Sequence, residues 1–585
     1  MNRKQCEGAA WGKRFLMLCT VILSASLAFG GSRKMAKDLE GKNASDQVDV
    51  IVQFTQAPTA RHHQKVFNHG GKLRQELGLV KSSAYSLPAS ALADLAADPD
   101  VAYIAPDRPL YSTSNGSPTA VLDYHTDTVN APVAWAQGLN GTGIGVAVID
   151  SGLIDIQDFH GQNNNRVVFS QNFVGGTDGS ANDQYGHGSH VAGIIGGNGN
   201  NSTGSNYFYT FKGIAPNVNL INLRVLDQNG MGTDSQVIAA IQKAIQLRST
   251  YNIRVINLSL GRPVYESYTL DPLDQAVEQA WKAGIVVVVA AGNEGRNNSK
   301  KTSGYGTITA PGNDPYVITV GAMNTKGTPN RAGDVIASYS SRGPTLYDHL
   351  VKPDLVAPGN RLISLYASGL TMDQLYPGNE IPTSLYQTNG NSTASDTYYV
   401  LSGTSMAAPM VSGAAALLLQ KSSSLTPDQV KARLMKTAYK NIVPYSTATD
   451  PVTGQTYNSQ ADIFTVGAGL LDIQAALSNT DLAPTTAGSA LSPTVTKDAS
   501  GNMVLVNGTG VIWGTGVIWG TGVVWGTGVI WGTNVSGQSV LWGSSVCWGT
   551  RSMQGYSVVW GTSVVWGTSS TPAGEATAVA INGEN

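Results

Sequence analysis

Three short stretches carry side chains suited to nucleophilic chemistry. The apolar run Ile144-Gly-Val-Ala-Val-Ile149 ends in Asp150 and the turn Ser151-Gly152. Sites in open parallel sheets form at the carboxyl ends of the strands, where a carboxylate can orient a base. It can equally cap a loop or a helix. His187 opens Gly186-His-Gly-Ser-His-Val-Ala-Gly193, whose small residues let a helix pack closely while the ring reaches off its end, as a general base must. His190 competes for that role. A spacing of three, with no HExxH pattern, argues against a metal pair, so His187 is taken as the base and His190 as a packed group. Ser405, within Ser402-Gly-Thr-Ser-Met-Ala-Ala-Pro409, precedes the apolar stretch Ala414-Ala-Ala-Leu-Leu-Leu-Gln420. A hydroxyl at the first turn of such a helix sits beside unpaired N–H groups and the positive dipole end, which favours an oxyanion. Helix capping by Ser402, Thr404 and Ser405 is the alternative.

Rigid elements must hold these groups. Between residues 131 and 477, strand-like runs (Ile144–Ile149, Val218–Leu226, Arg254–Leu260, Ile285–Ala291) alternate with helical stretches. Continuous apolar strands separated by helices predict a doubly wound α/β fold around a parallel sheet covered on both faces. Residues 47–105 form a separate small α+β pattern. Val48, Val50, Val52 and Phe54 alternate as a half-buried strand, 88–98 reads as helix, and Val101–Ala105 returns to strand.

At 585 residues the chain exceeds one compact core. Its 37 Lys plus Arg nearly balance 39 Asp plus Glu, so no basic field points to nucleic acid or an anionic membrane. Lys4, Lys13 and Arg14 precede an apolar run, Phe15–Gly30, that ends in small residues, the layout of a secretory signal over 1–30. The run is short for a membrane span, so a secreted protein with no stable membrane insertion is expected; an uncleaved anchor is the alternative. Removing the signal takes Cys6 and Cys19 and leaves Cys547 alone, which excludes an internal disulfide.

The remaining organisation is a propeptide over 31–112, its folded unit spanning about 47–110; a catalytic unit over 131–477; and a Thr/Ser/Pro/Ala/Gly-rich linker over 478–500. GTGVIW-type repeats follow over 501–568, with Trp513, Trp519, Trp525 and Trp531 six residues apart, and a tail over 569–585 closes the sequence. An even period suits extended strands, and one strand through four repeats would be too long, so the Gly-Thr-Gly units are expected to turn the chain into short stacked strands. Such Trp platforms suit surface assembly or carbohydrate binding, which is the alternative function, or a plain spacer.

Four motifs in order, VIDSG at 148–152, HGSHVAG at 187–193, AAGNEG at 290–295 and GTSMAAPMVSG at 403–413, resemble those of subtilisin-like serine proteases. Ser340-Ser-Arg-Gly-Pro344 and Lys352-Pro-Asp-Leu-Val-Ala-Pro-Gly359 extend the resemblance over roughly 131–477. It implies Ser405 as nucleophile, His187 as general acid/base, Asp150 as its orienting carboxylate and Asn293 as an oxyanion donor. It also implies substrate pairing along Ser259-Leu260-Gly261 and the edge near Leu226 to Gly232. A roomy apolar primary pocket would be lined by Ala290, Ala291 and Gly292 with Thr309 near its base, and broad specificity for protein or peptide substrates with a large apolar residue before the cut follows. The 47–110 unit is similar to the family's inhibitory propeptides, with self-cleavage expected near 110–116. Chemistry of this kind needs no cofactor. A structural calcium ion, with Asp158 as a ligand, is open, because the loop Asn200–Asn206 and the aromatic insertion Tyr207-Phe-Tyr209 depart from the family pattern. Ser189 stands where that family usually has Thr.

Overall fold

The computed structural model describes residues 34–112 and 123–497, apart from 163, 176–178, 300 and 452, with the short segments 503–505, 515–519, 523–526, 540–542 and 546–548 and residue 584. The expected signal over 1–30 and most of the repeat region and tail lie outside the described residues.

Alternation along one strand organises the first unit. In β1 (Gln47–Phe54), Val50, Val52 and Phe54 join a core with Tyr85, Leu87 and Ile104. Ile51 points to the opposite face and belongs to the core of the larger unit, since successive side chains of a strand alternate. β1 pairs antiparallel with β3 (Ser82–Pro88) and β4 (Val101–Pro106), and β2 (Lys72–Leu77) completes the order β2-β3-β1-β4. The expected helix at 88–98 is a 3-10 turn, Ala89–Ala91, followed by the helix Leu92–Ala97. This unit begins before residue 47, because Leu39 lies in its core and Met35 bridges to Ile104. From β4 the chain runs into β5 (Pro109–Ser112).

The larger sheet contains β6 (Gly145–Asp150), β7 (Val167–Asn172), β8 (Asn219–Arg224), β10 (Ile253–Leu258), β12 (Val286–Ala290), β13 (Ile318–Asn324), β14 (Val335–Ile336) and β15 (Leu355–Pro358). The strand order is β14-β13-β12-β10-β6-β8-β7, with β15 beside β13. Every pairing in it is parallel except β13 with β14. Each valine of β12 is at most 1% exposed, so both faces of the strand are covered and its sequence is apolar without alternation. Burial of each such side chain stabilises by roughly 1.5–3 kcal/mol. The short strands β9 (Met231–Thr233) and β11 (Leu260–Gly261) lie outside this sheet and flank β5 in a sheet of their own, both antiparallel to it.

The first unit sits on the helices Asp234–Tyr251 and Pro272–Lys282. Ile51, Leu77, Val80 and Ala84 merge with the larger core. Asp107 accepts hydrogen bonds from Ser235 N (2.9 Å) and Oγ (2.7 Å) at the start of one helix, where a carboxylate satisfies an unpaired amide and meets the positive dipole end. Arg108 Nη1 donates to buried Glu266 (2.7 Å), which also accepts from Tyr103 Oη.

The stretch read as a linker does not hang between units over its described part. Ala490 N donates to Asp428 Oδ1 (2.8 Å), Ser492 Oγ to Asp354 Oδ1 (2.5 Å) and Val495 N to His349 O (2.9 Å). Its Ser and Ala residues look featureless in sequence because their partners lie 62, 138 and more residues away. In the repeat region, Thr515–Trp519 pairs antiparallel with Val523–Gly526, and Val540–Trp542 with Val546–Trp548. No described helix is long and apolar enough to cross a membrane.

Candidate active site

Asp150 ends β6, and His187 is the first residue of the helix His187–Gly196. His187 Nδ1 lies 2.7 Å from Asp150 Oδ1, which also accepts from Ser151 N at 2.7 Å. His187 Nε2 is buried with no hydrogen-bond partner among the described residues. Close approach of the two elements depends on Gly188. A Cβ there would stand 2.3 Å from the carbonyl oxygen of Gly152 and 3.2 Å from the Asp150 Cβ. Asp183, to which no motif points, fixes both elements. Its buried carboxylate accepts from Ser151 Oγ, from the amides of Tyr185, Gly186 and Ser189, and from Ser189 Oγ. An Asp four residues ahead of a helix-opening His is the only clue to it.

The helix Thr404–Lys421 carries Ser405 in its first turn and packs beside the His187 helix and across β10, β12, β13 and β15. Its N-cap is Gly403, with φ at 143°, and no side chain caps it. The three hydroxyls that capping would have used are engaged elsewhere. Ser402 Oγ accepts from Arg361 N (2.9 Å), Thr404 Oγ1 accepts from Gly292 N (3.1 Å), and Ser405 Oγ donates to Ser259 O (3.0 Å). Pro409 lies inside the helix and has no N–H for the carbonyl four residues earlier, that of Ser405. Ser259 Oγ takes that place and donates to Ser405 O at 2.8 Å, itself accepting from Asn257 Nδ2 at 3.0 Å. Ser259 therefore grips the nucleophile candidate through both its carbonyl and its hydroxyl.

Asn293 follows β12 and packs against the same turn, its Oδ1 accepting from Thr404 N (2.9 Å) and Thr404 Oγ1 (3.0 Å). Ala290 ends β12, and Ala291 and Gly292 lead from it to Asn293. Thr309 N donates to Ala291 O at 3.1 Å. A Cβ on Gly261 or on Gly292 would meet Thr309 side-chain atoms at 2.7 Å and 2.8 Å, so Thr309 lies between the two glycines. Leu260 and Gly261 form β11, opposite Ser112 and Tyr111 of β5. The structure thus gathers Asp150 with His187, Ser405 with Ser259 and Asn293, and the Ala290–Gly292 segment with Gly261 and Thr309.

His190 is buried one turn beyond His187, with Nε2 3.0 Å from Tyr399 O. Burial above all, with His187 close by, pushes its pKa down to about 3, so it stays neutral. Asp158 is 0% exposed. Its Oδ1 accepts from Asn201 N (2.6 Å) and its Oδ2 from Tyr398 Oη (3.3 Å), while its carbonyl takes hydrogen bonds from Arg166 Nη2 (2.5 Å) and Asn198 N (3.0 Å). Burial pushes its pKa up to about 6. Hydrogen-bond donors and a guanidinium face it where a calcium ion needs a cage of oxygen acceptors, so these residues do not fit the ion. No group of three or more His, Cys, Asp or Glu side chains suited to a metal occurs among the described residues.

Comparison with known proteins accords with this geometry. Residues 141–469 match the model of the subtilase family. Serine protease AprX of Bacillus subtilis (strain 168) is 37% identical over 322 residues, 54% of this chain and 66% of AprX. Subtilisin E of the same organism is 32% identical over 464 residues, 79% of this chain and 97% of that protein. Fervidolysin from Fervidobacterium pennivorans, a keratinolytic enzyme related to subtilisin, has the same fold, with a TM-score of 0.56 at 22% identity over 81% of this chain and 66% of its own. The chain belongs to the subtilase family and is a subtilisin-like serine endopeptidase.

Proposed function

We propose that the protein is exported as a zymogen and hydrolyses proteins through an acyl-enzyme on Ser405, with His187 as general acid/base and Asp150 as the carboxylate that orients it. The observation that carries this reading is β5. Residues 109–112 lie as an antiparallel strand between β9 and β11, and their last described residue, Ser112, faces Leu260, next to the Ser259 carbonyl that Ser405 Oγ touches. An extended substrate bound in that slot gains main-chain hydrogen bonds whatever its side chains, which gives broad specificity.

Ser405 Oγ turns from Ser259 O to His187 Nε2, attacks the scissile carbonyl and gives its proton to that nitrogen. Asp150 holds Nδ1–H, which fixes the tautomer and stabilises the cation formed. Asn293 Oδ1 is held by Thr404, and its Nδ2 donates to the oxyanion together with helix N-terminal amides. Collapse expels the amine, which takes the proton from His187, and water then frees the acyl group by the same path. Ala290, Ala291, Gly292 and Thr309 bound a pocket for a large apolar residue before the cut.

The unit that ends in β5 acts as an inhibitory propeptide, cut by the enzyme itself within 110–116; residues 113–116 lie outside the described ones. Export is supported by the leader-like N-terminus. Wild-type protein and its Ser405→Ala variant, produced alone, are compared by intact mass, N-terminal sequencing and hydrolysis of an unfolded protein. The wild type is expected to start within 110–116 and to be active, and the variant to keep its first unit and be inactive. Equal hydrolysis by the two overturns the assignment, and loss of the unit from the variant overturns self-cleavage.

A further inference from the structure

Residue 584 is far in sequence from the peptidase unit, yet Glu584 is 1% exposed against it. Its carboxylate accepts from Ser338 N through both oxygens (3.0 and 3.1 Å), from Ser338 Oγ, and from Arg296 Nη2 (3.2 Å). The backbone is read as well. Glu584 N donates to Asn360 Oδ1 (2.9 Å), and Glu584 O accepts from Asn360 Nδ2 (2.9 Å) and Asn324 Nδ2 (3.4 Å). Arg296 is itself held, its Nε donating to Ser338 Oγ (2.8 Å), its Nη1 to Asp450 Oδ2 (2.6 Å), and its guanidinium lying 4.5 Å from the centre of the Tyr457 ring. A buried carboxylate is costly unless paired and hydrogen-bonded, and here every feature of one glutamate, side chain and main chain, meets a matching group. Of the residues that form this socket, Arg296, Ser338, Asn324 and Asn360 are each at most 8% exposed.

The socket shares its loops with the candidate active site. Arg296 lies three residues beyond Asn293. Asn360 sits between Gly359, whose carbonyl accepts from Gly403 N (2.7 Å), and Arg361, whose amide donates to Ser402 Oγ. The loops that receive Glu584 therefore also hold the residues leading into Ser405.

We propose that this socket is a recognition site for a glutamate within a peptide segment, and that Glu584 is its occupant. The site does not depend on proteolysis, so its test uses a chain without the nucleophile. Amide hydrogen exchange is measured on full-length Ser405→Ala protein and on the same protein carrying Glu584→Gln or Glu584→Asp. Loss of the charge in Glu584→Gln should speed exchange at Ser338 on the order of 10-fold, with Glu584→Asp affected less, while the amides of Val286–Val289 stay protected and so report an intact fold. Adding the peptide Ala-Ile-Asn-Gly-Glu-Asn, residues 580–585, to the Glu584→Gln protein should restore protection, and its Gln analogue should not. Unchanged exchange at Ser338 in the Glu584→Gln protein, or equal rescue by the two peptides, overturns the proposal.

Discussion

His187 and His125 are both buried, each meets a carboxylate through Nδ1 (Asp150 and Asp123), and each leaves Nε2 without a hydrogen-bond partner among the described residues. Their settings differ. Asp150 and His187 come from two elements 37 residues apart, at a strand end and a helix start, beside the helix that carries Ser405. Asp123 and His125 are two residues apart, and Asp123 is also occupied by the amides of His125 (2.8 Å) and Ile363 (2.9 Å). His125 borders a cavity with Asp158, Lys212 and Tyr398; Ser364 lines it too, but on a strand and not in the first turn of a helix, with its Oγ donating to His190 O (2.8 Å). An imidazole–carboxylate pair is thus a common way to satisfy a buried histidine. The proposed catalytic role of His187 rests on a second feature, the neighbouring helix that carries the separately anchored Ser405.

The contrast is broken most severely at its first member. Ser405→Ala and His187→Ala should each lower turnover by about 10⁶, the scale of loss that subtilisin shows when either group is removed. His125→Gln should keep turnover within about threefold of wild type and instead cost about 1–3 kcal/mol in urea-denaturation stability. A large turnover loss in His125→Gln with normal stability would erase the distinction. Asn293→Ala should reduce turnover about 10²–10³-fold with little change in KM, again a size known from subtilisin.

Ser259→Ala tests how Ser405 is held. It removes the hydroxyl that donates to the Ser405 carbonyl, to which Pro409 offers no N–H. A stability loss of about 1–3 kcal/mol is expected, and Pro409→Ala in the same background should recover part of it by restoring an N–H. Failure of that rescue would sink the account of Pro409.

A dependence on pH separates two buried groups. Asp158, with its pKa pushed up to about 6, keeps a proton in the folded state that the unfolded chain releases above about pH 4. Stability therefore falls as pH rises from about 4 to 6, by about 2–3 kcal/mol. His190, pushed down to about 3, acts in the other direction: the unfolded chain takes up a proton below about pH 6.5, and stability is lost as pH falls from there toward 3. In the Ser405→Ala background, Asp158→Asn should raise the urea midpoint at pH 8 but not at pH 4. A chelator should shift the melting temperature equally with and without that substitution, because calcium does not suit the donors around Asp158.

The sequence alone determined the strand that ends in Asp150, the helix that begins with His187 and the helix with Ser405 in its first turn, because apolar periodicity and small residues act over a few positions. It left each motif with a capping or packing alternative. The structure removed the capping alternative for Ser405: Gly403 stands at the N-cap, and the hydroxyls of Ser402, Thr404 and Ser405 go to Arg361, Asn293 and Ser259. Asp183 was illegible because its work is spread over five donors on Ser151 and the 185–189 stretch, and the 478–497 segment because Ser and Ala show no preference until their partners are near. The seat of Glu584 requires Asn360, 224 residues away, and Ser338, 246 away. Contacts of that span are set by the closed fold and leave no periodic trace in the chain, whereas strands, helices and their ends are written locally.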